Sequence, residues 1–272
     1  MSAAGGRLVV CATPIGNLED VTPRVLAALR DAAVVACEDT RHTRVLLQRH
    51  AIATATVSLH EHNEAARGAE LLERVRAGQV VAVVSDAGMP VVSDPGGRLV
   101  AAARDAGLPV EVLPGASAPV VAVAAAGIAA ERWRFVGFLP RRTGETLELL
   151  RDPDATVAFE SPRRLAATLR AIADEDPQRV VAVCRELTKL HEEVVRGPAA
   201  EVAARFADGT KGEVTLVVAG VAAAVDEQRA IDAARRLVAD GARPRTAARV
   251  VAELTGAGAN DLYRALHERD DG

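Results

Sequence analysis

The strongest constraint on the fold is a short, wholly apolar run followed by a long polar loop rich in glycine and proline. Val80–Val84 is mostly β-branched, which is typical of a strand buried on both faces of a parallel sheet. The loop at residues 85–97 leaves the carboxyl end of that strand, where parallel sheets bind ligands. Its glycines open the backbone to a ligand and its prolines stiffen it. We therefore predict an α/β fold with a binding site at this loop.

Similar signals continue along the chain. Asp94 and Pro95 favour the start of a helix, with the aspartate at the cap and the proline in the first turn. Apolar runs then alternate with helical patterns up to about residue 223, which is typical of α/β proteins with largely parallel sheets. Three short helices follow, and Asn260 is expected to cap the last. The predicted parts are an α/β domain at residues 1–114, a second at 115–223, and a helical module at 224–272.

Composition excludes several classes of protein. The formal net charge of −4 argues against a protein that coats nucleic acid indiscriminately. No apolar run is long enough for a membrane span and no signal peptide is evident, so we expect a cytoplasmic protein without membrane contact. The cysteines Cys11, Cys37 and Cys184 are odd in number and lie in apolar runs, which favours buried, reduced thiols. We predict no metal, because no cluster of cysteine and histidine has metal-ligand spacing.

Polar loops that follow the predicted strands are the candidates for a binding cleft. Both halves of the chain contribute such loops, which predicts a ligand in the groove between two α/β units. Neither GxGxxG nor GxxxxGK[ST] occurs, so nicotinamide cofactors and ATP are poorly supported. The loops lie at residues 13–17, 38–42, 85–97, 114–118, 160–163 and 186–189.

These loops carry a set of motifs that resembles a known family. The motifs are ATPIGNL at residues 12–18, EDTRHT at 38–43, SLHEHNE at 58–64, residues 85–97, PGASA at 114–118 and FESP at 159–162. Together they resemble ribosomal RNA small subunit methyltransferase I, a family of the tetrapyrrole-methylase group, over nearly the whole chain.

The resemblance implies a fold, a reaction and partners. It implies two α/β domains of the tetrapyrrole-methylase (class III methyltransferase) type with a small C-terminal helical module, and S-adenosylmethionine bound between the domains. The implied reaction is methyl transfer to the ribose 2′-hydroxyl of a decoding-centre cytidine in 16S rRNA. The implied substrate is this RNA within the small ribosomal subunit, and the implied enzyme is a homodimer.

Two alternatives remain open at this point. Corrin and porphyrin C-methylases share the fold, but they generally carry a glycine-rich first loop and lack the segments seen here at residues 38–42 and 60–63, which favours the RNA branch. A tetrapyrrole C-methyltransferase is therefore one alternative, and a noncatalytic ribosome-assembly factor that binds RNA is the other.

Site residues follow from the chemistry of a cationic sulfonium, which needs backbone amides, oxygen atoms and few nearby cations. The predicted cofactor lining is Pro14, Ser85, Asp86, Gly88, Met89, Asp94, Ala116, Ser117, Phe159, Glu160, Thr188 and Glu213. Candidates for the base that removes the hydroxyl proton are Asp39, His60 and Lys189, with no choice among them. The predicted substrate contacts are Arg41, His42, His62, Asn63 and Arg163, of which the arginines suit phosphates.

Overall fold

The computed structural model of the protein describes residues 5–60, 62–128, 131–221 and 227–267. Glu61, which belongs to the motif at residues 58–64, lies outside them. The chain forms two compact units, Met1–Gly220 and Val221–Gly272. The first unit contains two five-stranded sheets.

The first sheet is entirely parallel. Its strands are β1 (Arg7–Cys11), β2 (Val34–Cys37), β3 (Thr56–Ser58), β4 (Val80–Val84) and β5 (Val110–Leu113), in the order β3-β2-β4-β1-β5. Its helices are α1 (Pro23–Asp31), α2 (Thr40–Arg49), α3 (Glu64–Arg76) and α4 (Gly97–Asp105). Strand β1 lies between β4 and β5, so the loops after these three strands meet at one edge of the sheet.

The second sheet is mixed. Its strands are β6 (Trp133–Phe138), β7 (Ala155–Glu160), β8 (Val180–Arg185), β9 (Glu193–Pro198) and β10 (Val214–Val218), in the order β6-β7-β10-β8-β9. Only β6 and β7 pair in parallel, so the predicted largely parallel pairing is wrong for this sheet. The connection between β8 and β9 is too short for a crossover helix and forces an antiparallel pair. The helices of this part are α5 (Ala118–Ala126), α6 (Thr143–Leu150), α7 (Leu165–Glu175) and α8 (Ala199–Arg205).

The start of α4 differs from its prediction. Gly96 occupies the cap position in a left-handed conformation, and Asp94 lies outside the helix. The carboxylate of Glu64, 6% exposed at the start of α3, accepts hydrogen bonds from the backbone N–H groups at the start of α4 instead. The predicted cap was wrong because an acceptor distant in sequence satisfies those donors, and Asp94 is left to line a cavity.

The second unit contains three helices in its described residues, as predicted. They are α9 (Glu227–Ala239), α10 (Pro244–Thr255) and α11 (Ala259–Ala265), packed around Ala234, Ala248, Val251 and Leu262. Helix α11 begins directly after Gly258, so Asn260 lies within the helix and does not cap it. Across the described parts of both units, no helix combines the length and the apolar character that crossing a membrane requires.

Candidate functional site

Loops from the first sheet are tied together at their bases. The Thr13 N–H donates to the Gly88 carbonyl at 2.8 Å, and the Gly88 N–H donates to the Thr13 carbonyl at 3.1 Å. The Thr13 hydroxyl also donates to the Ser85 carbonyl at 3.1 Å. Gly88 has a φ of 83°, and a Cβ there would lie 3.1 Å from Ile15 and 3.4 Å from the carbonyl oxygen of Ala116. Only glycine suits this conformation and this close approach of three loops.

A first cavity of about 450 Å³ opens between these loops and the adjoining edge of the second sheet. Eight of the twelve predicted cofactor-lining residues border it, and they come from both sheets: Asp86, Gly88, Met89, Asp94, Ser117, Phe159, Glu160 and Glu213. Phe138, which also borders it, was not predicted, although its place at the end of β6 is the signal that identified the other loops. The cavity is therefore built at the strand ends, as the loop pattern predicts.

The remaining four predicted residues lie beside this cavity. Pro14 and Ser85 border a second cavity of about 300 Å³. Ala116 packs in the core with Ile15 and Leu187. Thr188 holds two loops together, because its hydroxyl oxygen accepts the Asn17 N–H at 3.1 Å.

Carboxylates dominate the charge of the first cavity. Asp86, Asp94, Glu160 and Glu213 border it, and none of the described residues that line it is Lys, Arg or His. Burial, together with the neighbouring charges of Glu38 and Asp86, raises the pKa of Asp94 to about 6. This surface suits a cation and disfavours a phosphate.

Glu160 is the most deeply buried of these acids, with 2% of its surface exposed. Its carboxylate accepts the Ser161 N–H and the Thr168 hydroxyl, each at 2.6 Å, and pairs with the Arg164 guanidinium at 2.5 Å. Phe159 beside it packs against Phe135 and Phe138, with ring centroids 5.0 and 5.4 Å apart. The second sheet thus contributes a fixed acid and an aromatic wall.

Two further cavities adjoin the first. The second cavity shares Ile15, Asp86, Ala87 and Glu213 with it. A third cavity of about 430 Å³ lies over the ends of β2 and β3 and shares only Asp86. Asp86 therefore borders all three cavities, and its Oδ1 is oriented by the Asp39 N–H at 3.1 Å.

The three candidate bases differ in the hydrogen bonds and ion pairs that their side chains already make. Asp39 caps α2 and pairs with Arg41 at 2.7 Å, and these bonds hold the pKa of its carboxyl well below its usual range. Burial lowers the pKa of Lys189, but its ion pairs with Glu186 and Glu213 outweigh burial and the pKa is raised. Both are therefore poor proton acceptors at neutral pH. His60 borders the third cavity, and its buried Nδ1 has no hydrogen-bond partner within the described ranges.

The predicted substrate contacts occupy several places. Arg41 borders the third cavity and His42 the second. His62 lies beside His60, with ring centroids 5.9 Å apart. The Asn63 side chain makes hydrogen bonds within its own loop, since it accepts the His60 N–H and donates to the Ser58 carbonyl. Arg163 is exposed in the loop after β7, at the edge that carries the first cavity.

Comparison with known proteins identifies the class. Residues 7–203 match the family model of Tetrapyrrole (Corrin/Porphyrin) Methylases. A uroporphyrin-III-C-methyltransferase from Thermus thermophilus is similar in structure, with a TM-score of 0.56, 24% identity, and coverage of 79% of this chain and 93% of that chain. A cobalt precorrin-4 methyltransferase has a TM-score of 0.59 at 18% identity, covering 78% and 94%. The chain has the fold of the tetrapyrrole methylases, and the predicted fold class is confirmed.

Relatives of higher identity define the family within that class. Proteins named "Ribosomal RNA small subunit methyltransferase I" are 44% identical in Mesorhizobium japonicum, over 97% of this chain and 92% of the relative, and 45% identical in Mycobacterium tuberculosis, over 97% and 95%. The chain belongs to the family of ribosomal RNA small subunit methyltransferase I. The resemblance stated on the motifs is therefore confirmed, and the protein is a methyltransferase.

Proposed function

We propose that the protein transfers the methyl group of S-adenosylmethionine to the ribose 2′-hydroxyl of a decoding-centre cytidine in 16S rRNA. One observation carries the donor half of this proposal: within the described part of the chain, four carboxylates and no cationic side chain border the first cavity. Glu160 and Glu213 are paired with Arg164 and Lys189, so Asp86 and Asp94 are the acids that we assign to a cationic ligand. The names of the relatives carry the acceptor half.

The first cavity fits this donor. Its volume of about 450 Å³ lies in the range of small-molecule sites. Asp86 and Asp94 would face the positive charges of the donor, and Phe159 offers an apolar face to a planar base. Gly88 leaves the backbone of its loop open, because it has no Cβ to fill the space beside Ile15. The four predicted residues that lie beside the first cavity would support this lining: Pro14, Ser85, Ala116 and Thr188.

The donor supplies a methyl group on a positively charged sulfur. The chain's contribution is to hold an acceptor hydroxyl in line with it, which alone accounts for much of the acceleration in reactions of this type. Asp86 borders the adjoining cavities and has a carboxylate that can accept a hydrogen bond from that hydroxyl. Of the three predicted bases, His60 retains a ring nitrogen without a partner among the residues described, but that nitrogen is buried and, of the three cavities, His60 borders only the third. We therefore assign no base among the three, and we propose that Asp86 orients the acceptor hydroxyl.

The context of the reaction is part of the proposal. A net charge of −4 favours an assembled small subunit, which adds shape and protein contacts, over naked RNA. We propose a cytoplasmic homodimer whose domains span residues 1–114, 115–223 and 224–272. The end of β5 at Leu113 supports the first boundary. The second boundary lies outside the described residues, and the division of the chain at Val221 supports its approximate position.

Labelled S-adenosylmethionine tests the reaction directly. The purified protein is incubated with small subunits that lack this modification, with naked 16S rRNA, or with a precorrin, and ribose methylation is mapped by mass spectrometry. We expect label on one cytidine ribose of the subunit. Label in the precorrin alone would overturn the RNA assignment, and binding of the donor without transfer to any acceptor would support a noncatalytic factor.

Asp94 makes donor binding and stability respond to pH in opposite directions. Its folded-state pKa of about 6 lies above the ordinary aspartate value of 3.8, so the fold loses stability as the pH rises from about 4 to about 6. We expect Asp94→Asn to raise the free energy of unfolding at pH 8 by about 1–2 kcal/mol, after allowance for partial exposure. Urea unfolding between pH 4 and 8 should show this gain growing up to about pH 6 and then levelling off.

Donor affinity provides the second readout for Asp94. In the unsubstituted protein it should improve as the pH rises through 6, and Asp94→Asn should remove that dependence. Asp105→Asn is the matched control, because Asp105 is exposed at the end of α4 and should change neither quantity. An unaltered pH profile of donor binding in Asp94→Asn would contradict the role given to this carboxylate.

A further inference from the structure

We propose that the acceptor nucleotide binds in the second cavity and that Lys189 is the residue that positions it there. This inference rests on the proposed function, because it names the acceptor subsite of the same reaction. The second cavity adjoins the first along four shared residues, so a group bound in one is in direct reach of a group bound in the other.

The walls of the second cavity match the chemistry of a nucleoside. Pro14, Ile15 and Leu46 give it apolar faces, and its volume is about 300 Å³. Thr43, a residue 4% exposed with a buried hydroxyl, also borders it. That hydroxyl has no hydrogen-bond partner of ordinary geometry in the part of the chain that the structure describes, and the Cys37 thiol near it is a weak acceptor. Because the Thr43 oxygen is shielded from the cavity, the apolar walls are the part of this site that matches the faces of a base.

Lys189 presents a fixed positive charge to this cavity. An ammonium group has three N–H donors, and two of them are directed at Glu186 Oε1, 2.9 Å away, and Glu213 Oε2, 3.1 Å away. Glu186 is itself held, because its Oε1 accepts the Glu213 N–H at 2.8 Å. The third donor of Lys189 remains for an oxygen atom in the cavity that the residue borders.

The composition of the chain makes this lysine distinctive. The 33 basic residues include only two lysines, Lys189 and Lys211, and all the others are arginines. The planar fork of a guanidinium is suited to bidentate pairs, whereas an ammonium is a compact charge that can share its donors among three oxygen atoms. The oxygen atoms of two glutamates and of one ligand would make up the three acceptors around the Lys189 ammonium group.

The third cavity is less suited to an RNA acceptor. Glu38, Asp39 and Asp86 all border it, and their negative charges repel a phosphate. Among the described residues that line it, the one guanidinium is that of Arg41, which is already paired with Asp39 at 2.7 Å. Asp86 and Glu213 also border the second cavity, but it combines His42 with Lys189, which keeps one N–H donor beyond its two ion pairs, and it has a wider boundary with the first cavity.

Nuclear magnetic resonance offers a test that does not depend on turnover. Protein labelled with ¹³C-lysine has only two lysine Cε signals, and Lys211→Arg assigns them. We expect cytidine 5′-monophosphate, added in the presence of S-adenosylhomocysteine, to shift the Lys189 signal saturably and leave the Lys211 signal in place. An unmoved Lys189 signal, or equal shifts of both, would overturn the assignment.

Kinetics separates positioning from cofactor binding. Lys189→Ala should raise the KM for small subunits by about 10- to 100-fold, the effect of losing one charged hydrogen bond, while the Kd for S-adenosylmethionine changes less than about 2-fold. Lys189→Arg should recover part of this loss, and Lys211→Ala is the matched control with the wild-type KM.

An unchanged KM in Lys189→Ala, or an equal rise in the donor Kd, would overturn the proposal. Absence of RNA methylation by the unsubstituted protein would overturn the proposed function instead.

Discussion

Asp86→Asn is expected to weaken the binding of S-adenosylmethionine by about 10- to 100-fold and to change the binding of S-adenosylhomocysteine by less than about 3-fold. The two ligands differ in charge at sulfur, which is a cation in the first and neutral in the second. Unit charges about 5 Å apart at an effective dielectric constant of about 20 attract by about 3 kcal/mol, and exposure of the cleft reduces this value. Calorimetry with both ligands measures the ratio.

The substitution is conservative for the fold. Asn retains a side-chain oxygen to accept the Asp39 N–H, which Asp86 Oδ1 accepts at 3.1 Å. Thermal unfolding should therefore change little, and Asp105→Asn again serves as the control for loss of one negative charge at an exposed site. Equal weakening of both ligands would place the carboxylate at the amino group that they share and would contradict a role at the sulfonium.

Much of the first sheet could be predicted because its pattern is local. Parallel strands buried on both faces are continuous apolar runs, and Val80–Val84 shows this without any knowledge of its neighbours. The second sheet contains runs of the same kind, such as β7, β8 and β10, yet most of them pair antiparallel. The direction of pairing depends on the path of the chain between strands, and an apolar run does not encode it.

The site residues likewise divide into those that a local pattern predicts and those whose place depends on contacts distant in sequence. Loops after strands identify Asp86, Gly88 and Phe159, because strand ends of one sheet edge converge whatever their sequence separation. The assignment of Asp94 to a helix cap failed, since the competing acceptor, Glu64, lies 32 residues before Gly96 in the sequence. The loop after β8 was predicted to place Thr188 in the cofactor lining, but it binds Asn17 and presents Lys189 to the second cavity.

Glu64→Ala is expected to lower the free energy of unfolding by about 3 kcal/mol. Glu64 Oε1 accepts the N–H groups of Gly96, Arg98 and Leu99 at 3.1, 3.0 and 3.3 Å, and the residue is 6% exposed. Alanine would leave buried donors at the start of α4 without an acceptor, and unsatisfied donors of this kind cost about 1–3 kcal/mol each when water cannot reach them. Urea unfolding at pH 7 measures the loss.

Two further variants distinguish loss of the buried carboxylate from loss of a surface charge. Glu64→Gln keeps a side-chain oxygen and should lose less stability than Glu64→Ala, whereas Glu73→Ala, on the exposed face of the same helix, removes a surface ion pair with Arg76 and should change stability by less than about 1 kcal/mol. Because the start of α4 anchors the loop at residues 85–96, Glu64→Ala should also weaken donor binding, although Glu64 does not border the first cavity. If Glu64→Ala and Glu73→Ala are equally stable, the buried carboxylate does not hold this helix, and the position of Asp94 in the cleft needs another cause.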